Sequence, residues 1–331
     1  MKNRKKEHID LAFDARIELL NADKRFYYEP LLSAHPTKSL PEFEFAGKKM
    51  RLPIWVSSMT GGTKKAGDIN RNLARASKEF GMGMALGSCR VLLEDDSHFE
   101  DFNLRPILGD DVPFYANLGI AQLEELLEQK ATDKINNLIE KLDADGIIIH
   151  INPLQEAFQP EGDIFKKSPL DTLKEFLQIF NGRVIVKEVG QGMGPESLKE
   201  LLSLPLEAIE FGALGGTNFT LLELMRHNSN VSEYEKFASI GHSAYEMTKI
   251  INDLVENGLD NKCKQLIISG GITDILDGYF LQQNSKIPAV IGMGSALLKV
   301  SMNEYEELET FLKQTEKSYK LAKAFLKPKK L

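Results

Sequence analysis

Residues 145–163 read DGIIIHINPLQEAFQPEGD, a short apolar run that changes abruptly into a polar segment. The run Gly146–Ile149 is rich in isoleucine, which is typical of a strand buried on both faces of a parallel sheet. Pro153 and Pro160 prevent a continuous helix through the polar segment that follows. A solvated loop would use Lys, Ser and Gly freely, whereas this one uses amides, acids and an imidazole. The pattern therefore favours the site of an α/β enzyme over an ordinary loop.

The same arrangement recurs along the chain. Seven further apolar runs each end in a polar or glycine-rich motif, and amphipathic stretches lie at 120–141, 169–180, 195–203 and 243–257. The seven runs are Leu52–Ser58, Gly81–Leu86, Pro113–Ala116, Arg183–Val186, Ala208–Phe211, Gln265–Ile268 and Ala289–Ile291. Eight alternating units predict a closed (β/α)8 TIM barrel, with its site at the carboxyl ends of the strands. A doubly wound sheet is the alternative fold, and it would scatter several motifs away from one crevice.

The 331 residues are enough for one barrel with extensions. We expect a single domain over 1–331, in which residues 1–50 form an N-terminal helix and loop extension that contributes to the substrate site. Residues 1–30 are predicted to be helical, because apolar side chains recur with helical spacing. This stripe consists of Ile9, Ala12, Phe13, Ile17 and Leu20.

Composition excludes several classes of protein. The formal net charge is −7, with 41 basic and 48 acidic residues, so no nucleic-acid-binding balance is present. Cys89 and Cys263 are too few for a disulfide framework and indicate a reducing compartment. No signal-peptide core and no run of about 18 apolar residues is found, so we expect a cytoplasmic protein without a membrane partner.

Glycine-rich turns at 212–216, 269–272 and 292–294 predict a phosphorylated cofactor, because glycine lets backbone N–H groups approach an anion. Each turn alone is also explained by loop geometry. Lys187 ends an apolar strand, where it either faces an anionic ring in the barrel mouth or forms a salt bridge with Glu188 or with a neighbouring loop. Glu156 is a candidate Mg²⁺ ligand, a general base or a salt-bridge partner.

Two further groups are candidate anion ligands. Arg4, Lys5 and His8 lie on consecutive turns of the first helix, where Arg4 and His8 share a face and can hold one anion together, although composition alone favours a frayed basic terminus. Arg90 is another candidate, and Ser88 beside it can donate a hydrogen bond.

Together these motifs resemble one family, the type 2 isopentenyl-diphosphate Δ-isomerases. The resemblance runs in order along most of the chain, and its most specific part is His150–Asp163, with the pattern HxNPLQExxQPEGD. It also covers Arg4 to Ile9, SMTGG at 58–62, GS with Arg90, NLG at 117–119, VKEVG at 186–190 and GGTN at 215–218. The chain departs from the family after Ile272, where Thr273 stands in place of a common Arg or Lys.

The resemblance implies a barrel that binds FMN and Mg²⁺, uses NADPH as the reductant and assembles as a homo-oligomer, a tetramer or octamer. It also implies interconversion of isopentenyl diphosphate and dimethylallyl diphosphate in isoprenoid biosynthesis. Mg²⁺ would be held by Glu156. The substrate would be bound by Arg4, Lys5, His8, Ser88, Arg90, His150, Asn152 and Gln155. FMN would be contacted by Met59, Thr60, Gly61, Ser88, Asn117, Lys187, Thr217, Gly270, Gly271, Ser295 and Ala296.

Three of these residues, Gln155, Lys187 and His150, are the expected catalytic set. The amide of Gln155 does not titrate near neutral pH, so it cannot supply the proton that isomerisation needs. A reduced flavin can, through N5, with Lys187 stabilising the anionic ring near N1 and O2. Gln155 is therefore expected to position the substrate. The alternatives are another FMN barrel of the α-hydroxy-acid oxidase type and a catalytically inactive flavin- or phosphate-binding scaffold.

Overall fold

In the computed structural model, residues 2–59, 61–226 and 232–331 are described. Eight of the strands, β4 to β11, close into a parallel barrel in the order β10-β11-β4-β5-β6-β7-β8-β9. The strands are β1 Phe26–Tyr28, β2 Phe43–Phe45, β3 Lys48–Met50, β4 Ile54–Val56, β5 Gly83–Ala85, β6 Phe114–Gly119, β7 Gly146–Ile151, β8 Val184–Glu188, β9 Ala208–Glu210, β10 Gln265–Ser269, β11 Ala289–Met293 and β12 Leu326–Pro328. This confirms the predicted TIM barrel and excludes the doubly wound sheet.

Most of the helices pack around the barrel and cover its outer face, whereas the N-terminal helix is exposed. They are α1 Lys2–Asp10, α2 Lys64–Phe80, α3 Phe99–Phe102, α4 Arg105–Leu108, α5 Ile120–Glu128, α6 Asp133–Leu142, α7 Pro153–Phe158, α8 Pro169–Ile179, α9 Pro195–Leu202, α10 Phe219–Arg226, α11 Ser232–Ala238, α12 Ala244–Glu256, α13 Ile275–Asn284, α14 Ser295–Ser301 and α15 Tyr305–Phe325. Short 3-10 helices occupy Leu19–Asn21 and Arg90–Leu93. The predicted stretch 120–141 is two helices, because the chain turns between Glu128 and Asp133.

The prediction of a helix over residues 1–30 is wrong beyond Asp10. Residues 11–25 contain only turns and the short 3-10 helix, and β1 then pairs antiparallel with β12 near the C-terminus. Ile9, Phe13 and Ile17 are exposed by 71%, 75% and 85%. A helix of this length is held mainly by burial of its apolar face, and these side chains are not buried in the monomer.

Two packed layers position the site. The outer layer fills the space between the strands and the helices, and includes Val186, Ile209 and Ile149. The inner layer takes one side chain from each barrel strand: Trp55, Ala85, Tyr115, Ile148, Ile185, Ala208, Ile267 and Val290. The hairpin of β2 and β3 closes the amino-terminal end of the barrel, where Tyr115 donates a hydrogen bond to the Ala46 carbonyl at 3.0 Å. The lower barrel is therefore a packed apolar core.

Candidate active site

A ring of polar and glycine residues lies directly above the inner apolar layer. Because side chains of a strand alternate between faces, the residue two positions further along each strand also faces the barrel interior. Six of these positions lie within the strands: Asn117, His150, Lys187, Glu210, Ser269 and Gly292. The other two, Ser57 and Gly87, lie just beyond the ends of β4 and β5. None of them is a large apolar residue, so the interior changes from apolar to polar at one level. This level is the floor of the mouth at the carboxyl ends of the strands.

Lys187 points into the barrel and is 6% exposed. Of the two orientations that the sequence left open, the side chain therefore takes the one toward the barrel interior. Its ammonium group donates a hydrogen bond to the Glu188 main-chain carbonyl at 3.1 Å. The Glu188 carboxylate points to the other face, where it accepts backbone N–H groups of Gly190, Gln191 and Gly192 at 2.6–2.8 Å. The alternative of a salt bridge between Lys187 and Glu188 is therefore wrong.

His150 and Asn117 form a hydrogen-bonded pair on the floor, with 2.8 Å between Nδ1 and Oδ1. The Asn117 amide nitrogen donates to the Leu86 carbonyl at 3.1 Å, which fixes the amide oxygen toward the imidazole. His150 must therefore carry its proton on Nδ1, leaving Nε2 as an acceptor in the neutral ring. Burial, together with the positive charge of Lys187, lowers the pKa of His150 to about 3, so the ring is neutral at physiological pH.

The His150 ring lies close over the end of β6. A Cβ atom added to Gly119 would stand 2.9 Å from the imidazole Nε2 and 2.4 Å from the Gln122 side-chain oxygen. A larger residue at this position would force the ring or the Gln122 side chain to shift. The sequence motif NLG thus has a packing reason in addition to its position at a strand end.

Asn152 organises the start of α7. It is 3% exposed, and its amide nitrogen donates to Gln155 Oε1 at 3.2 Å and to Glu156 Oε1 at 2.7 Å. The other Glu156 oxygen accepts the Asp163 backbone N–H at 2.8 Å. Pro153 occupies the first turn of the helix, where the absence of an N–H costs no hydrogen bond. The polar segment predicted to be a site is therefore an ordered cluster around one buried amide.

Arg90 and Asp163 form an ion pair at the rim, with 3.0 Å between Nη1 and Oδ2. The same carboxylate oxygen accepts a hydrogen bond from Gln122 at 3.0 Å. Ser88 is exposed and accepts the Arg90 backbone N–H at 3.4 Å. Arg90 and Ser88 therefore lie near the His150–Asp163 segment, as expected, although the guanidinium already has an acidic partner.

Two of the three glycine-rich turns pack against each other. A Cβ atom on Gly270 would lie 2.1 Å from the Ala213 carbonyl, and one on Gly215 would lie 2.9 Å from Gly271 Cα. Gly270 and Gly271 have positive φ angles of 88° and 66°. The close contact of the two backbones explains why glycine stands at these positions, and this explanation needs no ligand. The same turns expose main-chain atoms, without side-chain cover, at the mouth. A Cβ atom on Gly294 would lie 4.0 Å from the side chains of Met59 and Ser57, which is an ordinary contact distance.

Unfilled hydrogen-bonding atoms at this end of the barrel fit a polar ligand. Within the described residues, Ser58 Oγ and Asn152 Oδ1 are buried without a hydrogen-bond partner. Such atoms are rare in folded proteins, and a bound ligand or ion can supply the missing partner. Asn117, Met59 and Gly61 are at least partly buried near this level, whereas Thr217, Ser295 and Ala296 are exposed at the ends of the following strands. Thr60 lies outside the described residues.

The residues of the mouth offer one carboxylate, rather than a cage, to a metal ion. Across the described ranges, no group of three or more His, Cys, Asp or Glu side chains could hold a metal ion. Glu156 keeps lone pairs on both oxygens, which fits an ion held by a single carboxylate and by phosphate oxygens.

The N-terminal candidates are not brought to the floor. Arg4, Lys5 and His8 lie on α1 and are exposed. No hydrogen bond or ion pair joins them to the barrel among the residues that the structure describes. Their predicted contribution to the substrate site stays a prediction.

Glu210 is the interior residue that sequence analysis missed. It is completely buried at the end of β9, and Ala208, two residues earlier, belongs to the inner layer. The sequence does carry a signal for this residue, because Glu210 is a charged residue that shares a strand face with the apolar Ala208. Cys89 is also buried, and burial raises the pKa of its thiol to about 12, which agrees with a structural role. No helix in the described ranges is long and apolar enough to span a membrane.

No family model matches the chain. Isopentenyl-diphosphate delta-isomerase of Rickettsia prowazekii (strain Madrid E) is 32% identical over 286 residues, which cover 83% of this chain and 79% of the relative. The enzyme of the same name from Rickettsia canadensis (strain McKiel) is 31% identical over 327 residues, covering 94% and 90%. That of Archaeoglobus fulgidus is 34% identical over 233 residues, covering 70% and 66%.

Solved structures with the same fold are more distant. A mandelate oxidase mutant with a monooxide FMN adduct superposes with a TM-score of 0.55 at 11% identity, covering 91% of this chain and 83% of the other. A flavocytochrome b2 with sulfite bound gives 0.58 at 14% identity, covering 91% and 72%. At such low identity, these similarities show the barrel fold.

Proposed function

Since the chain belongs to the type 2 isopentenyl-diphosphate delta-isomerase family and interconverts isopentenyl diphosphate and dimethylallyl diphosphate, we propose that it does so with FMN bound against Lys187. The supporting observation is the polar floor, where a buried ammonium group faces the mouth beside unfilled hydrogen-bonding atoms. A buried ammonium is stabilised by a nearby anion, which an anionic flavin ring would supply. The reduced flavin would provide the acid–base group for the proton transfers.

The cofactor contacts follow the predicted set. The ring would lie near Asn117 and Lys187, with Met59, Thr60 and Gly61 from the loop after β4. Its phosphate would bind at Gly270 and Gly271 and at the start of α14. In these turns the glycines bring backbone N–H groups close to the surface without side chains. Ser88 and Thr217 would add hydroxyl groups, and NADPH is the proposed reductant.

The diphosphate would bind on the side of His150 and Asn152, with Arg90, Ser88 and the residues of α1. The neutral His150 ring presents Nε2 as an acceptor, so it can donate to a phosphate oxygen only after it gains a proton there. Gln155 is held by Asn152 at the start of α7 and would position the isoprenyl carbons. Glu156, held by the same amide, would bind Mg²⁺ together with the diphosphate.

An α-hydroxy-acid oxidase, the alternative, needs a His base paired with an Arg late in the barrel. Arg226 is the last arginine of the chain, and its guanidinium already contacts Glu223 at 2.6 Å and Glu161 at 3.2 Å. The late loops offer only two histidines, His227, which lies outside the described residues, and His242, and no arginine follows Arg226. The names of the relatives also favour the isomerase.

The test is an anaerobic assay with FMN, NADPH, Mg²⁺ and labelled isopentenyl diphosphate. We expect dimethylallyl diphosphate from the wild type and from Lys174→Met, which changes an exposed lysine on α8. Lys187→Met should bind FMN weakly and form little product. Absence of a flavin spectrum in the wild type, or full activity of Lys187→Met, would refute the flavin proposal. Light scattering of the purified protein tests the predicted tetramer or octamer.

A further inference from the structure

Three titratable side chains stand in a row on three adjacent strands of the barrel. His150 is the register partner of Lys187, and Lys187 is the register partner of Glu210. All three face the interior, because Ile148, Ile185 and Ala208 two residues earlier belong to the inner layer. The proposed function uses the imidazole and the ammonium group but leaves Glu210 without a role.

Glu210 has an environment that penalises its charge. It is 0% exposed, and neither carboxyl oxygen has a hydrogen bond of normal geometry among the described residues, although the Ser57 and Ser269 hydroxyl groups lie close enough to favour the ionised form. Burial raises the pKa of Glu210, while Lys187 and the nearby hydroxyl groups of Ser57 and Ser269 lower it. A buried carboxylate that lacks sufficient compensation takes up a proton instead. The proton on Glu210 therefore depends on the charges around it.

Lys187 is the nearest charge on the interior face. Its hydrogen bond to the Glu188 carbonyl leaves two N–H donors without a partner within the described ranges, and none of the described carboxylates lies within ion-pair distance. The Glu188 side chain is bound to three backbone N–H groups on the outer face, so it does not compete for Lys187. On the other side of Lys187, His150 is neutral. Glu210 is thus the acid in register with this lysine.

We propose that Glu210 is a positioning residue that balances the charge of Lys187, ionised when no anion faces the lysine and protonated when an anionic ring lies against it. The identity of the ring rests on the proposed function. Dithionite would supply two electrons, which a flavin bound here would take up with one proton to become an anion. Glu210 gains one proton from solvent, forming one O–H bond, so the net charge of the site does not change. The site would therefore take up two protons, one on the flavin and one on Glu210, for the two electrons that it receives.

The experiment compares FMN-loaded wild type, Glu210→Gln and the control Glu124→Gln. Glu124 is a buried carboxylate outside the barrel interior that accepts the backbone N–H groups of Lys166 and Lys167. The midpoint potential should fall by about 60 mV per pH unit in the wild type and the control, and by about 30 mV in Glu210→Gln, because one proton per two electrons corresponds to about 30 mV for each tenfold change in proton concentration.

Infrared difference spectra on reduction give an independent reading. The wild type should gain the carbonyl band of a protonated carboxylic acid, Glu124→Gln should keep it and Glu210→Gln should lack it. If Glu210→Gln does not fold, the wild-type spectrum decides, since absence of the band there overturns the proposal. An unchanged slope in a folded, FMN-loaded Glu210→Gln also overturns it. A wild type that binds no FMN refutes the proposed function itself, and the proposal falls with it.

Discussion

Replacing His150 with asparagine should flatten the acid side of the stability profile. The folded protein holds this imidazole neutral, with a pKa lowered from 6.5 to about 3 by burial and by Lys187. The unfolded chain therefore binds one more proton than the folded chain between these two values. Stability from this group is fully present above pH 6.5 and is lost as the pH falls toward 3.

The size of the effect follows from the proton difference. One proton changes the free energy of unfolding by about 1.4 kcal/mol per pH unit, so the wild type should lose about 2.5 kcal/mol from this site between about pH 7.5 and about pH 4.5. His150→Asn lacks this term, and its profile should be flatter by that amount, whatever its stability at neutral pH. The order of magnitude is set by the pKa shift rather than by individual contacts.

The assay is urea unfolding followed by circular dichroism at a series of pH values. Gln155→Ala is the matched control, because it removes a neighbouring polar side chain that does not titrate, and it should keep the wild-type slope. NMR of the imidazole protons in the wild type gives a direct reading, with no titration of His150 above about pH 4.5. Parallel profiles for the wild type and His150→Asn would show that the ring is not held neutral.

Three further predictions concern the mouth. Gln155→Asn withdraws the amide from the substrate side and should lower kcat about 100-fold while FMN affinity changes little; equal losses would place the residue elsewhere. Glu156→Gln should raise the Mg²⁺ concentration needed for half-maximal activity, whereas an unchanged requirement removes it from the metal site. Gly270→Ala puts a Cβ 2.1 Å from the Ala213 carbonyl, whereas Gly258→Ala meets open space at a similar φ. In urea unfolding, Gly270→Ala should therefore lower the free energy of unfolding by about 1–3 kcal/mol more than Gly258→Ala. Equal losses would contradict the close backbone contact.

The barrel could be predicted because each strand is a short apolar run followed by a polar or glycine motif. Some strands extend beyond their predicted ends, because polar residues continue the hydrogen-bonded ladder. β7 extends through His150 to Ile151, and β8 includes Lys187 and Glu188. Backbone pairing does not depend on the polarity of the side chain, so a sequence pattern based on hydrophobicity ends these strands too early.

The prediction of a long N-terminal helix was wrong for the opposite reason. Its apolar spacing is helical, yet Phe13 and Ile17 are exposed, and burial rather than periodicity decides whether such a segment becomes a helix. For the site, the sequence proposes a set of residues, which stays a prediction, and it does not give their geometry. Which face Lys187 occupies, and which nitrogen of His150 carries the proton, follow from strand alternation and from the Leu86 carbonyl, neither of which the sequence displays.

Polarity alone does not mark the functional positions of this barrel. Glu188 and Asn117 are buried polar residues with their hydrogen bonds filled by the protein, and they fix the ends of β8 and the orientation of His150. Glu210 and Asn152 are equally buried, yet within the described chain they keep oxygen atoms without partners. Because an unpaired buried group costs stability, such atoms persist where a ligand or a proton completes them. Buried oxygen atoms of the described chain without partners also occur away from the mouth, at Ser77 and Asn261, so the feature that fits a ligand is their grouping beside the buried Lys187 ammonium on the barrel floor.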